Sequence, residues 1–257
     1  MAVGQMLKTV ALIPTRLNSR RLPKKSLELI GNLPLIIHTY RRVSMSKKIN
    51  DVYICCDSKE VFEIAKKFKA KAILTSKNHE CGTDRIYEAF KKLKRFNFNQ
   101  VINVQGDEPL IDPKNIDKVI EYHKKFKNYD IILPNLPVKF QSNVNLVKVI
   151  FNKAKQVIFL TRSDAPNHFR KKPKIMYKHL SIISFKPWAL KEYAKFKRTK
   201  LEMIEDVELL RAIDIGLKIK TFTVKGNSFS IDVKKDLIEV KKKILQDKNY
   251  KIYKNGY

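Results

Sequence analysis

The stretch Val101–Pro109 constrains the fold of this chain more than any other. It begins with a mostly apolar run that ends at Val104, as expected of a strand covered on both faces. Gly106 then allows a sharp turn and leaves Asp107 at the carboxyl end of the strand. Ligands of open α/β sheets bind at this edge, where a carboxylate is well placed to hold Mg²⁺ on a nucleotide phosphate. The stretch therefore predicts a metal-binding turn, with an ordinary polar turn as the alternative.

A second predicted strand, residues 9–13, ends in a strongly basic loop. The loop carries five cationic side chains: Arg16, Arg20, Arg21, Lys24 and Lys25. Like charges in one loop repel one another unless an anion lies among them. Arg offers a planar fork to phosphate oxygens and Lys a compact charge. The position directly after the strand favours a phosphate-binding loop over a solvated basic loop.

Strands alternate with helical patterns through the first half of the chain. We predict strands and helices in these two sets: strands at 9–13, 51–56, 71–75, 100–105 and 130–135, and helices at 34–46, 59–69, 83–95 and 113–127. This alternation indicates a parallel sheet covered by helices.

The pattern changes after residue 137. We predict the following elements there: a hairpin of 145–151 and 156–161, an irregular basic stretch at 167–174, a strand at 178–185, helices at 187–196 and 203–215, a strand at 218–224, and a last helix from Lys234. Since no linker or internal repeat marks a second domain, we predict a single domain over residues 1–257 with an insertion at about 137–200.

The formal net charge of +29 raises the possibility of nucleic-acid binding. The lysines, however, are spread over nearly every predicted helix and loop, and neither an aromatic-rich recognition motif nor zinc-finger spacing accompanies them. We interpret the charge as a solvated basic surface that favours anionic ligands. We therefore predict no nucleic-acid partner.

The cysteines Cys55, Cys56 and Cys81 form neither a metal-binding nor a disulfide pattern. The first two end an apolar run, which predicts reduced thiols in the core. No segment approaches the roughly 18 apolar residues of a membrane span, so we predict no membrane insertion. The N-terminus lacks the apolar stretch of a signal peptide. Together these observations favour a cytoplasmic protein.

Four motifs occur in the order found in one family of nucleotidyltransferases. The family's Pro-Ala-Arg-x-x-Ser-x-Arg-Leu-Pro-Gly-Lys is matched by residues 14–25, and its Ser-Gly-Thr-Asp-Arg by 81–85. Its Val-Gln-Gly-Asp-Glu-Pro stands intact at 104–109, and its Val-Asp-Thr-Pro-Glu-Asp-Leu is matched by 231–237. On these motifs the chain resembles the 3-deoxy-manno-octulosonate (Kdo) cytidylyltransferases, from about residue 9 to about residue 244.

The resemblance implies an α/β fold, namely the three-layer α/β/α nucleotidyltransferase fold. This is a Rossmann-like fold with a mostly parallel sheet, and its insertion makes homodimer contacts. The implied reaction transfers a cytidylyl group from CTP to a 2-keto-3-deoxy sugar acid, most simply Kdo, and releases pyrophosphate. Such transfer depends mostly on positioning and on neutralising phosphate charge. The implied catalytic residues hold the triphosphate or Mg²⁺: Arg16, Lys25, Asp107 and Asp232.

By the same resemblance, Asp107 and Asp232 are the Mg²⁺ ligands, although Asp232 alone would equally suit a helix cap. The implied nucleotide-binding residues are Pro14, Thr15, Arg16, Arg21, Lys25, Cys81, Gly82, Thr83, Arg85 and Asp107, with Arg20 an alternative to Arg21. Thr83 also fits a helix N-terminus, whose free N–H groups suit a ligand. The implied sugar-binding residues are Gln105, Arg162, His179 and Glu205. Of these, His179 equally suits a structural histidine.

The chain departs from the family in ways that bear on the sugar. Where the family has His-x-Gly-x-Tyr, this chain has His179 followed by Leu-Ser-Ile and then Ile183, which lacks the tyrosine hydroxyl. Losing a polar partner changes what a pocket accepts. The alternatives are therefore an amino-substituted Kdo or a sialic-acid-like nonulosonate. A non-catalytic binder of anions or nucleic acid, and a sugar-phosphate or polyol-phosphate nucleotidyltransferase, fit the paired aspartates less well.

Three further departures lie in the motifs of the nucleotide and metal sites. Lys24 stands in place of a Gly in the phosphate loop, and Cys81 in place of a Ser near the base. Lys234 and Lys235 replace Thr-Pro beside the second aspartate. We expect Lys24 to alter the shape of the loop or to add a phosphate contact.

Overall fold

The computed structural model describes residues 8–19, 21–167, 169–226 and 228–254. They form two compact units: the first lies within residues 1–117 and 228–257, and the second within 118–227. Arg20, one of the five predicted phosphate-loop cations, lies outside the described residues. The prediction of one domain with an insertion at about 137–200 stays a prediction.

Strands alternate with helices along the first half of the chain, as the apolar periodicity predicts. The elements are β1 (Thr9–Thr15), β2 (Leu29–Ile30), β3 (Leu33–Pro34), α1 (Leu35–Ser44), β4 (Asp51–Cys56), α2 (Lys59–Lys67), β5 (Ala72–Leu74), α3 (Gly82–Lys92), β6 (Gln100–Val104) and α4 (Pro113–Lys125). Each strand and helix predicted before residue 127 is present within a few residues of its predicted ends. The short hairpin of β2 and β3 was not predicted, since two-residue strands carry no periodicity.

The sheet of the first unit is parallel, in the order β5-β4-β1-β6. The central strand β1 is fully buried from Thr9 to Ile13, which explains the unbroken apolar run from Val10 to Ile13. Parallel pairing brings the carboxyl ends of β1, β4 and β6 to one edge, so the segments that follow these strands lie near one another. The predicted parallel sheet is confirmed for this unit.

The predicted core thiols are confirmed as well. Cys55 and Cys56 are free and fully buried at the end of β4. Burial raises the pKa of the Cys55 thiol far above its usual range and raises the pKa of the Cys56 thiol to about 11. Both side chains therefore remain protonated and act as small apolar core groups.

The remaining elements are β7 (Ile131–Lys139), β8 (Lys148–Phe151), β9 (Val157–Thr161), β10 (Ile175–His179), β11 (Ile182–Phe185), α5 (Pro187–Tyr193), α6 (Lys200–Glu205), α7 (Leu209–Asp214), β12 (Ile219–Thr223), α8 (Lys234–Ile244) and α9 (Lys248–Tyr253). In the second unit, β7 pairs in parallel with β12 and antiparallel with β10 and β11. The strand predicted at 130–135 is thus present, and its antiparallel neighbours are consistent with the predicted mostly parallel sheet. The predicted hairpin of β8 and β9 is confirmed.

Two elements predicted as continuous are each divided. The strand predicted at 178–185 is split between β10 and β11, opposite Pro134 of β7, which has no N–H to donate to a neighbouring strand. The helix predicted at 203–215 is split between α6 and α7, because Asp206 adopts left-handed backbone angles with φ of 49° and ends the first helix. The pattern of apolar residues continues across both breaks, so the sequence alone does not indicate them.

A C-terminal helix, α9, was not predicted and packs on α1 within the first unit. His38 is fully buried, with its ring nitrogens 3.0 Å from the Tyr253 hydroxyl and 2.8 Å from the Ile30 carbonyl. Arg42 forms an ion pair with Asp247, the N-cap of α9, at 2.8 Å. Among the described residues, no helix is long and apolar enough to cross a membrane.

Candidate active site

The turn after β6 lies directly against the end of β1. A Cβ atom on Gly106 would be 2.8 Å from the Pro14 carbonyl oxygen and 3.1 Å from the Ile36 side chain. Gly106 is therefore required by the close approach of β1 and α1. A positive φ is not the reason, since Gly106 is not among the glycines with that conformation. Thr39 of α1 donates a hydrogen bond to the Gly106 carbonyl at 3.1 Å, which fixes the turn against α1. The adjacent Asp107 is thus presented at the carboxyl edge of the sheet.

Lys25 joins the two aspartates predicted to bind metal. Its ammonium donates to Asp107 Oδ2 at 2.8 Å and to the Ile231 carbonyl at 2.6 Å, and it lies 3.7 Å from Asp232 Oδ1. The Lys25 side chain is only 15% exposed, so this contact is well shielded from water. Three residues separated by up to 207 positions in sequence thus meet at one cationic centre.

The remaining described cations of the loop after β1 differ in their contacts. Arg21 donates to Asp232 Oδ1 at 2.8 Å and is half exposed. Lys24 is exposed and pairs with Glu60 at 3.0 Å, outside the pair of aspartates. Arg16 is exposed and makes no side-chain ion pair with any described residue, so its guanidinium is available to an anion. The loop therefore presents cations both on the carboxylates and toward solvent.

Lys24 stands where the family has a glycine. Its own backbone is left-handed, with φ of 54° and ψ of 23°. Its N–H donates to the Leu17 carbonyl at 3.1 Å and its carbonyl accepts from Leu27 at 2.9 Å, so the loop folds back on itself here. The backbone therefore makes a tight turn at Lys24, and the side chain pairs with Glu60. The expectation that Lys24 alters the shape of the loop or adds a phosphate contact stays a prediction.

The segment before α8 is held by its backbone. The Ile231 N–H donates to the Asp107 carbonyl at 3.0 Å, and Ile231 itself is fully buried. Asp236, in the first turn of α8, accepts from the N–H groups of Asp232 and Val233 at 2.9 Å each. The helix-cap role considered for Asp232 therefore falls to Asp236. This leaves the Asp232 carboxylate to face Lys25 and Arg21.

The two aspartates suit a divalent cation that also binds phosphate. Both carboxylates already converge on a single positive charge, the Lys25 ammonium. The described residues contain no group of three or more His, Cys, Asp or Glu side chains that could enclose a metal. A metal held by two carboxylates must complete its coordination with water and substrate phosphate oxygens, which is the usual environment of Mg²⁺.

The predicted nucleotide-binding residues around Cys81 lie at the start of α3. Cys81 is the N-cap: its sulfur accepts from the Asp84 N–H at 3.5 Å and its thiol lies 3.1 Å from the Asp84 carboxylate. The thiol thus accepts the N–H bond that a serine hydroxyl commonly accepts at an N-cap. Gly82 and Thr83 occupy the first turn of the helix, where backbone N–H groups point outward. The helix N-terminus predicted at Thr83 is confirmed.

Arg85 is buried and binds within the protein. Its guanidinium donates to Thr75 Oγ1 at 2.8 Å, to the Ser76 carbonyl at 3.1 Å and to Asp57 Oδ2 at 3.2 Å. The other oxygen of Asp57 accepts from the Leu17 N–H at 3.0 Å. This chain of contacts connects α3 to the loop after β1. Asp57 was missed as a functional residue, although its position directly after strand β4 was a usable signal.

The predicted sugar-binding residues fall in both units. Gln105 is half-buried beside Asp107 in the first unit. In the second unit, the Glu205 carboxylate accepts from the Thr161 hydroxyl and from the Arg162 N–H, both at 2.7 Å. The Arg162 guanidinium donates to the carbonyls of Glu205, Asp206 and Val144 at 2.8, 3.1 and 3.2 Å. Arg162 and Glu205 are thus brought together, and they tie the end of β9 to the end of α6.

His179 and Ile183 lie on β10 and β11 of the second unit. Burial, reinforced by the positive charge of Lys178, lowers the pKa of His179 to about 4, so its ring is neutral at physiological pH. Ile183, which replaces the family's tyrosine, is 2% exposed and packs in the core. A neutral imidazole can exchange hydrogen bonds with a sugar hydroxyl but provides no charge for a carboxylate.

Comparison with known proteins agrees with this geometry. The model of the cytidylyltransferase family matches residues 10–219. A 3-deoxy-manno-octulosonate cytidylyltransferase of Thermodesulfovibrio yellowstonii is 37% identical over 253 residues, covering 92% of this chain and 98% of that protein. The enzyme of the same name from Rickettsia canadensis is 38% identical over 229 residues, covering 88% of this chain and 91% of that protein.

A solved structure extends the similarity to three dimensions. A CMP:2-keto-3-deoxy-manno-octonic acid synthetase, determined in complex with CTP, superposes with a TM-score of 0.85 at 28% identity. The match covers 93% of this chain and 99% of the solved one. The predicted α/β nucleotidyltransferase fold is thereby confirmed. The chain belongs to the 3-deoxy-manno-octulosonate cytidylyltransferase family.

Proposed function

We propose that this protein transfers CMP from CTP to a hydroxyl group of a 2-keto-3-deoxy sugar acid, with Kdo as the first choice. The observation that carries the proposal is the meeting of Asp107 and Asp232 on the Lys25 ammonium, at the edge where parallel strands end. A protein that only binds anions has no need for paired carboxylates beside a basic loop. The relatives named for this reaction support the choice of CTP and Kdo.

The reaction breaks a phosphoanhydride bond of CTP and forms a phosphoester bond to the sugar. The sugar hydroxyl oxygen forms a bond to the α-phosphorus of CTP, the bond to the bridging oxygen of pyrophosphate breaks, and the hydroxyl proton is released. Mg²⁺, when bound, would neutralise charge on the phosphates. Asp107 and Asp232 would hold it. Lys25 would exchange its contact with these carboxylates for a contact with the triphosphate.

Two other groups of residues would bind the nucleotide. Arg16 is exposed and Arg21 half exposed beside the carboxylates, and both would bind the triphosphate. The cytidine would lie against the residues at the ends of β1 and the start of α3: Pro14, Thr15, Cys81, Gly82, Thr83 and Arg85. The N-terminus of α3 is the kind of helix end that suits polar atoms of the base or ribose. Since Arg85 is engaged within the protein, its contribution would be to hold the nearby loops in place.

Gln105 of the first unit would bind the sugar acid. The family resemblance also assigns sugar binding to three residues of the second unit: Arg162, His179 and Glu205. The neutral state of His179 suits a hydroxyl partner. Ile183 is the observation that favours a second candidate, because an aliphatic core residue replaces a hydroxyl expected at the sugar. On that ground an amino-substituted Kdo or a sialic-acid-like acid is the alternative substrate. We also propose a cytoplasmic homodimer, which rests on the family resemblance.

Carboxylate-to-amide substitutions test the proposal. Asp107→Asn and Asp232→Asn remove charge with little change in shape. We expect each to abolish detectable turnover, while circular dichroism and thermal unfolding show a folded protein. Asp112→Asn is a matched control in the same turn: the Asp112 side chain accepts from the Lys114 N–H at 2.9 Å, and an asparagine oxygen can do the same. Normal turnover by Asp107→Asn, with fold and metal supply verified, would refute the metal assignment.

A further inference from the structure

The segment Ser228–Asp232 brings the second aspartate to the site, and it has no regular secondary structure. Two contacts join it to the turn after β6, and a third joins it to Lys25. The Ile231 N–H binds the Asp107 carbonyl and the Ile231 carbonyl binds Lys25, as described above. The other contact with the turn is at the start of the segment, where the Ser228 hydroxyl lies 3.1 Å from both carboxylate oxygens of Glu108.

Glu108 is buried, with 1% of its surface exposed, and follows Asp107 directly in the chain. A carboxylate in that position is difficult to account for by packing alone, because a buried charge requires polar partners. Its contact with Ser228 spans 120 residues of sequence. It thereby connects the turn that carries one metal-binding aspartate to the segment that carries the other.

We infer that Glu108 and Ser228 are positioning residues for the metal site, which set the separation between Asp107 and Asp232. The inference rests on the proposed function and deepens it. Asp236 fixes the Asp232 backbone from the helix side, and the contact between Glu108 and Ser228 fixes the segment from its other end. The backbone bonds of Ile231 hold the segment between these two ends.

Ser228→Ala tests the inference with the smallest change, since it removes one hydroxyl from a half-buried residue. The readout is Mn²⁺ affinity in the presence of CTP, measured by electron paramagnetic resonance. Loss of a group that orients a metal ligand lowers metal affinity roughly 10-fold or more, and we expect a loss of about 10-fold here. CTP affinity without metal should remain unchanged.

Two variants of the same segment serve as controls. Ser230→Ala removes a hydroxyl two residues away, for which no hydrogen bond is found within the described residues, and should leave Mn²⁺ affinity unchanged. Ser228→Thr keeps the hydroxyl and should restore most of the affinity lost in Ser228→Ala. In an Asp232→Asn background, Ser228→Ala should have no further effect, because its action passes through Asp232.

Each outcome decides between the inference and the proposed function. Wild-type affinity in Ser228→Ala, or an equal loss in the Asp232→Asn background, would overturn the positioning role while leaving the proposed function intact. Absence of CTP-dependent Mn²⁺ binding by the folded wild-type protein would overturn both. Glu108→Gln, which keeps one acceptor oxygen, should fall between wild type and Ser228→Ala. If Glu108→Gln has the Mn²⁺ affinity of wild type, the contact depends on the shape of the Glu108 side chain and not on its charge.

Discussion

Replacing Lys25 by methionine should destabilise the protein and make its stability depend on Mg²⁺. The ammonium of Lys25 is the positive charge shared by Asp107 and Asp232, at 2.8 and 3.7 Å. Methionine has a similar length without the charge. The variant would therefore place two carboxylates close together with only Arg21 beside them as a counter-charge among the contacts described above.

The expected loss of stability follows from the contacts that Lys25→Met removes. Lys25 donates one hydrogen bond to a carboxylate and one to a carbonyl, at 2.8 and 2.6 Å. Hydrogen bonds of charged groups contribute about 1.5–3 kcal/mol each, and partial exposure of the aspartates favours the lower end. We expect a loss of about 2–3 kcal/mol. In a domain of this size that corresponds to a fall in Tm of roughly 4–12 °C.

The assay is urea unfolding of wild type and variant, with EDTA and with a series of Mg²⁺ concentrations. In Lys25→Met a divalent cation takes the place of the missing ammonium. At a Mg²⁺ concentration ten times its Kd, binding restores about 1.4 kcal/mol of the free energy of unfolding. Wild type should gain less, because Lys25 competes for the same carboxylates. Lys24→Met, which loses only an exposed ion pair, should change stability by less than about 1 kcal/mol. Equal effects of the two substitutions, or equal gains from Mg²⁺ in wild type and Lys25→Met, would refute the reasoning.

Three further predictions concern the surroundings of the site. Lys24→Gly should raise the free energy of unfolding in urea by about 0.5–1 kcal/mol, because it relieves a left-handed backbone; a loss would show that the surface ion pair of Lys24 outweighs the strain. Asp57→Asn should raise KM for CTP about 10-fold with a smaller change in kcat, since it weakens the link from Arg85 to Leu17; an unchanged KM in steady-state kinetics would contradict the link. Burial lowers the pKa of His38 to about 4 from 6.5, so its contribution of about 3 kcal/mol is present above pH 6.5 and is lost as pH falls toward 4. His38→Gln should flatten this part of the stability profile, and an unchanged profile would show that His38 does not titrate in this way.

The sequence predicts the parallel half of the fold well because burial determines it directly. Strands β1 and β6 are covered on both faces, so most of their residues are apolar and the runs stand out. The helices between them carry a clear apolar face. Their start signals are also local, as with Ser58, whose side chain accepts from the N–H of Val61 at the start of α2.

The elements that were mispredicted depend on contacts between distant residues. The break between β10 and β11 follows from a missing donor at Pro134, on a different strand. Helix α9 has six residues, too few for a reliable period, and it is held by Asp247 on Arg42 and by Tyr253 on His38. A pattern of residues along one segment carries no information about such partners.

In the candidate site, too, local sequence predicted some residues, and others depend on contacts between distant residues. Motifs predicted the pair of aspartates and Lys25, and the structure brings these three residues together. Asp57 and the contact between Glu108 and Ser228 were missed, because each acts through a residue that is distant in sequence. Residues that bind a substrate directly occur in recognisable motifs, whereas the residues that position them are defined by the folded geometry.

Pyrophosphate release from CTP and Mg²⁺ is the decisive assay of the proposed function, with Kdo, an amino-substituted Kdo and a sialic acid supplied separately. We predict release that depends on Kdo, with CMP-Kdo formed in equal amount, which would also show that Ile183 is tolerated. Release with only one of the other acids would keep the cytidylyl transfer and change the substrate. Absence of release with all three acids, from folded protein that still binds CTP, would contradict the proposed function.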